Sequence, residues 1–248
     1  MKNHYVETSN HDRFAAAIRA AEARGSKERC MVLVTGIPGA GKTCTLYNWG
    51  SDERVASIHM DGIPGMSVRY LNDYLGDQTG IPYDQNKKFA FDKALGEYLR
   101  DTKRPIVLDE AQHGLPKNAE CVEYLRRVAE RAGILLVLAC HTSERHKFVS
   151  KDRAHIAERI HTVAELKEAN VDDCAAYLAA LCEVKVDDGI IKQVHEQSRG
   201  RYRLMSDAGV TLEAIARKKG ADALTVSDTK GFRLCEDAMM SLRRSAAK

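Results

Sequence analysis

The seven cysteines, at 30, 44, 121, 140, 174, 182 and 235, contain no C-x-x-C pair. An odd, scattered set leaves no basis for a disulfide scaffold or a paired-thiol zinc site, and reads as reduced thiols of a cytosolic protein. Long apolar runs are missing too. The longest, Ile134–Cys140, is far too short to cross a bilayer. The opening MKNHYVETSN is polar and has no signal-peptide core. No membrane partner is expected. Aromatic residues make up only 6% of the chain, too few for a platform that stacks single-stranded bases. Charge of one sign is also in short supply, at +3 net. It is uneven, however: residues 199–248 carry 11 Lys/Arg against 6 Asp/Glu, and residues 1–198 carry 27 against 29. A basic C-terminal fifth fits a polyanionic partner or a solvated helical face equally well.

What is present is a chain long enough, at 248 residues, for one large domain and a small one. Three apolar, β-branched runs, Cys30–Thr35, Pro105–Asp109 and Ile134–Cys140, read as buried strands of a parallel sheet. Val55–Met60 and Ile160–Leu166 are weaker candidates. Helices are expected at Asp12–Arg24, Thr43–Trp49, Val68–Gly76, Lys88–Asp101 and Ala119–Arg131; the last carries an apolar stripe at Val122, Leu125, Val128 and Ala129. This alternation predicts a doubly wound α/β fold. After Asn170 only helices are expected, at Val171–Cys182, Gly189–Gln197, Arg203–Arg217 and Leu234–Arg243. The organisation predicted is an N-terminal helix and linker over 1–30, an α/β nucleotide-binding core over 31–168 and an all-helical lid over 169–248.

Behind the first strand stands VTGIPGAGKT, residues 34–43, which fits G-x-x-x-x-G-K-[ST] at Gly36, Gly41, Lys42 and Thr43. Glycines let the chain curl so that backbone N–H groups face a phosphate, and the helix that follows adds the positive end of its dipole. The residues expected around the nucleotide are Gly36, Ile37, Pro38, Gly39, Ala40, Gly41, Lys42, Thr43 and Cys44. Lys42 would reach the outer phosphates of ATP and the Thr43 hydroxyl would hold Mg²⁺. The companion run is Pro105-Ile-Val-Leu-Asp-Glu-Ala-Gln. Two adjacent carboxylates at a strand end repel each other unless a cation sits there. Asp109 is the candidate Mg²⁺ residue and Glu110 the candidate that polarises an attacking water. At the tip of the third strong strand, His141 or Thr142 is placed to sense the γ-phosphate.

GIPGAGKT, then IVLDEAQ, then a polar strand tip at His141, is the order of motifs in the AAA+ ATPases, which the chain resembles. The resemblance implies an AAA+ core with a helical lid. In DRAHIAERIH it implies an arginine that reaches a neighbouring subunit's nucleotide, at Arg159 or alternatively Arg153. In RGRYRLM, Arg203, counted from Gly200, matches the sensor arginine, with Arg201 as local competitor. Within AAA+, residues 10–217 resemble the transposition-regulator group: the B protein of Mu-like phages, TniB and TnsC. The likeness rests on DEAQ, the compact size and DGIPGMSVRYLNDYLGDQTGIP. About thirty residues precede Val32, so a version without an N-terminal helix-turn-helix is expected. The resemblance implies an ATPase that self-associates head to tail, as a helical filament or ring, on duplex DNA and engages a transposase, in a bacterial host's cytoplasm if phage- or transposon-encoded.

Such a protein would hold the DNA backbone through spaced cations with little base readout. The candidates are Arg69, Lys87, Lys88 and the group Arg145, His146 and Lys147. The alternatives are an AAA+ helicase loader or IstB-like ATPase, an ATPase serving secretion or signalling, and a small-molecule P-loop kinase, which the helical lid and late Arg203 fit poorly.

Overall fold

The computed structural model describes residue 2 and residues 4–237. In chain order the principal elements are α1 (Ser9–Glu22), β1 (Met31–Gly36), α2 (Lys42–Gly50), β2 (Ile58–Asp61), α3 (Val68–Thr79), α4 (Lys88–Thr102), β3 (Ile106–Asp109), α5 (Pro116–Ala132) and β4 (Leu136–His141). Two single turns follow, α6 (Arg145–Phe148) and α7 (Ala154–Ala157). Then come β5 (Ile160–Leu166), α8 (Val171–Leu181), β6 (Lys185–Val186), α9 (Asp188–Ser198), α10 (Tyr202–Lys219) and β7 (Ala223–Leu224). Two compact units emerge: residues 13–36 with 42–165, and residues 1–12 with 37–41 and 166–248.

The first unit holds a sheet in the order β2-β3-β4-β1-β5, with β2, β3, β4 and β1 pairing in parallel. Every residue of β1 and β3 is buried, which is why these strands are continuous apolar runs rather than alternating ones. Leu33, Ile58, Ile106, Leu108, Leu136 and Leu138 form the centre of the core, with Leu71, Leu75, Leu95 and Leu125 supplied by the helices. Ser67 opens α3 by accepting the Tyr70 N–H at 3.3 Å, and Gly80 closes it in the left-handed region. The strand order reverses around β1, and parallel α/β sheets bind ligands beyond the strand ends at such a point.

The second unit packs α8, α9 and α10 around Cys174, Leu178, Ile190, Val194, Met205 and Leu212. Asn170 caps α8 in a reciprocal capping box with Asp173, and Asp187 caps α9. β6 and β7 form a two-residue parallel pair here, so the segment after Asn170 is not helix alone. Of the helix expected over Leu234–Arg243, residues 234–237 are irregular and 238–243 lie outside the described residues.

Two other expectations shift. α1 starts at Ser9 rather than Asp12, and β2 starts at Ile58 because Val55 and Ala56 turn, Ala56 with φ 42°. α5 opens with Pro116, and Lys117, Asn118 and Ala119 are all left-handed before regular helix begins. All seven cysteines are free, and only Cys44 is exposed. Burial pushes the Cys140 thiol up to about 12. Among the described residues no helix is long and apolar enough to cross a membrane.

Candidate nucleotide site

β1 ends at Gly36, directly across from His141 at the end of β4. Lys42 and Thr43 then open α2. The Thr43 hydroxyl donates to Asp109 Oδ2 at 2.7 Å. Asp109 ends β3, is 2% exposed, and takes a second hydrogen bond at Oδ1 from the Glu110 N–H at 2.8 Å. A hydroxyl and a buried carboxylate are hard oxygen donors, the set that suits Mg²⁺. The Lys42 ammonium donates to the Gly36 carbonyl at 2.8 Å. Burial lowers its pKa, and the carboxylates of Glu110 and then Asp109 pull it back up.

Glu110 is exposed and left-handed, with φ 48° and ψ 41°. For a residue with a Cβ this conformation is strained, and such strain persists where the surroundings dictate it. Gly62 is one source of that constraint. It donates its N–H to the Asp109 carbonyl at 2.7 Å, and a Cβ on it would lie 2.4 Å from the Glu110 carbonyl oxygen and 3.0 Å from that of Asp109. The Gln112 side-chain amide donates to the Glu110 carboxylate at 2.5 Å. Neither Gly62 nor Gln112 was singled out by sequence reasoning; DEAQ carried a signal for Gln112, while Gly62 looked like any loop glycine.

At His141 the ring is oriented by its own loop. Ser143 N–H donates to Nδ1 at 3.1 Å and the Ser143 hydroxyl lies 2.6 Å from the same atom. A backbone N–H needs a lone pair at Nδ1, so the proton sits on Nε2, which is buried and has no hydrogen-bond partner among the described residues.

One turn along α2, Tyr47 stacks on His59, ring centroids 3.8 Å apart and planes 17° from parallel. Asp61 lies opposite Asp109 in the sheet register. Sequence reasoning missed both acidic and aromatic neighbours of this corner, because a strand ending His-Met-Asp has no motif.

Within the second unit, the loop tip Ile37–Gly41 turns at Gly39 and Gly41, with φ 82° and 84°. A Cβ on Gly39 would lie 3.4 Å from Arg201 Cβ and 3.8 Å from Arg203 Cβ, and the Gly39 carbonyl accepts the Tyr202 N–H at 2.9 Å. Both candidate arginines thus start beside Gly39. Arg201 is paired with Asp237 at 2.8 Å, whereas Arg203 is exposed and makes no ion pair among the described residues. Asn10, 2% exposed, donates to the carbonyls of Ala40 at 3.1 Å and Lys167 at 2.7 Å, and accepts the Lys167 N–H at 2.9 Å. Nothing in its sequence context marked Asn10.

The remaining predicted residues are dispersed. Arg159 pairs with Glu28, and Arg153 donates to the Lys147 carbonyl at 2.8 Å. Arg69 is near Asp73 at 3.9 Å and Lys147 pairs with Glu144. Lys87, Lys88 and Arg145 are exposed, as is Cys44 on α2.

The profile of the AAA domain family matches residues 24–148, half of the chain. The chain belongs to that family. Among solved structures, the Aeropyrum pernix ORC2 protein in ADPNP and ADP complexes is similar over 92% of this AAA protein and 68% of its own length, with 17% identity and a TM-score of 0.66. The Thermotoga maritima RuvB Holliday junction branch migration motor is similar with a TM-score of 0.56 and 17% identity, over 91% of this chain and 69% of its own. Drosophila ORC bound to DNA gives a TM-score of 0.64 at 13% identity, over 93% and 61%. A comparison with curated proteins finds no match. At these identities the structures establish the AAA+ P-loop fold, with its five-stranded parallel sheet, and the family implies a nucleotide-hydrolysing ATPase.

Proposed function

We propose that this AAA protein binds ATP with Mg²⁺ and uses hydrolysis to time its own head-to-tail assembly on duplex DNA, as a transposition regulator that presents target DNA to a transposase. The observation that carries the reading is the contrast at the end of β3. Asp109 is buried and bonded to Thr43, while Glu110 is exposed and held in a left-handed conformation beside it.

Thr43 and Asp109 would hold the cation, which neutralises charge on the phosphates when bound. Lys42 exchanges its bond to Gly36 for the outer phosphates. Glu110, turned out of the strand, polarises the attacking water. His141 offers its Nε2–H to the γ-phosphate, and Arg203 serves as sensor. Arg159 reaches the neighbouring subunit's nucleotide once released from Glu28, which ties hydrolysis to assembly. A head-to-tail interface gives a helix when it does not close and a ring when it does.

The DNA part of the reading is supported by two relatives, one described as a Holliday junction branch migration motor and one as bound to DNA. The transposase rests on the DEAQ and DGIPGMSVRYLNDYLGDQTGIP resemblance. Contacts to the backbone come from Arg69, Lys87, Lys88, Arg145 and Lys147, so binding should be indifferent to sequence and weakened steeply by salt.

Fluorescence anisotropy of labelled duplexes of unrelated sequence, across a salt series with ATP, ADP or no nucleotide, tests this. Cooperative binding with ATP only is expected, and Arg69→Ala with Lys87→Ala and Lys88→Ala should flatten the salt slope. Binding that ignores nucleotide, or is confined to one duplex, overturns the reading.

A further inference from the structure

His59 is an anomaly beside the nucleotide site. Its side chain is 9% exposed, yet neither ring nitrogen has a hydrogen-bond partner among the described residues. Leaving a buried polar group unpaired destabilises a fold, so one is retained where it has another use. Its surroundings suggest that use. His59 and Asp61 are two apart on β2 and so share one face of the sheet, and Asp61 is the register partner of Asp109. His59 Nε2 is 3.8 Å from Asp61 Oδ1, too long for a hydrogen bond. One donor atom from each of His59, Asp61 and Asp109 lies within 4.8 Å of the other two.

We propose that His59, Asp61 and Asp109 form a second divalent-cation site, taking one imidazole nitrogen and two carboxylates, built for a first-row transition-metal ion rather than for Mg²⁺. The donor set decides the class. Imidazole favours first-row transition ions, whereas Mg²⁺ is bound through oxygen and water. Ligand bonds near 2.1 Å set neighbouring donors roughly 3–4 Å apart, so the three atoms need only a small closure. Asp61, exposed at the strand end, has the freedom to make it. The Tyr47 ring stacked on His59 fixes the imidazole plane. Each Asp109 oxygen keeps a lone pair beyond the bonds from Thr43 and Glu110. The site does not require ATP to be bound, so it stands or falls separately from the function proposed above.

The test is Mn²⁺ titrated into the full chain, free of nucleotide and Mg²⁺, and followed by continuous-wave and pulsed electron paramagnetic resonance. Bound Mn²⁺ should show nitrogen coupling from one imidazole. His59→Gln should abolish that coupling. Asp61→Asn, an exposed change that leaves folding intact, should weaken Mn²⁺ binding roughly tenfold or more. Absence of imidazole coupling in the parent, coupling that survives His59→Gln, or Asp61→Asn binding Mn²⁺ like the parent each overturns the proposal.

Discussion

One helical turn of α2 separates two corners of the same helix–sheet contact. At the first, Thr43 meets Asp109, and both carboxylate oxygens of a buried acid are hydrogen-bonded. At the second, Tyr47 meets His59, and a buried imidazole has no hydrogen-bond partner among the described residues. The backbone geometry is shared, since positions 43 and 47 are i and i+4 on one helix face. Polar satisfaction differs. The first corner is preorganised before any ligand arrives, and the second holds its donor atoms in reserve. A fully satisfied polar group rigidifies its surroundings, whereas an unsatisfied one marks a place where stability has been given up.

The comparison is broken most severely from outside both corners, at Gly62. Gly62→Ala puts a methyl into the Asp109–Glu110 backbone, which cannot yield as a flexible side chain would. We expect a loss of about 3 kcal/mol, seen as a fall in Tm of roughly 5–10 °C, together with loss of ATP hydrolysis. A melt within 1–2 °C of the parent, roughly the shift of a negligible perturbation, would mean the approach is not tight.

Asp109→Asn sharpens the first corner. It keeps a partner for Thr43 but removes the charge that holds the cation. Hydrolysis should fall roughly 100-fold while Tm stays level or rises, because a buried charge has been removed. Parallel loss of both would make Asp109 structural. At the second corner the expected effect is on stability. His59→Phe keeps the stack on Tyr47 and deletes two orphaned nitrogens, so stability should rise by up to about 1 kcal/mol in a denaturant titration. A clear loss of stability would show that His59 is satisfied in solution.

The same two corners show how far the sequence could be read. That Lys42, Thr43, Asp109 and Glu110 lie together was legible in the spacing of two motifs behind buried strands. The parallel sheet was legible because β1, β3 and β4 are buried on both faces and therefore apolar up to the polar residues at their ends. Gly62, Asn10 and His59 were not. Each acts through a contact with residues far away in sequence: Gly62 with Asp109 and Glu110, Asn10 with Ala40 and Lys167, His59 with Tyr47. Register brings Asp61 to Asp109, and no single segment encodes register. The β6–β7 pair escaped for a related reason, since two-residue strands have no periodicity to detect.

The central claim is that Glu110 drives hydrolysis and that hydrolysis, not ATP binding, releases the protein from DNA. The direct measurement pairs steady-state ATP hydrolysis with dissociation from a labelled duplex, for the parent and for Glu110→Gln, each loaded with ATP. The account predicts that Glu110→Gln binds ATP as the parent does, hydrolyses it at least roughly tenfold more slowly, and stays on DNA correspondingly longer. Hydrolysis at the parental rate, or slow hydrolysis with unchanged release from DNA, would contradict it.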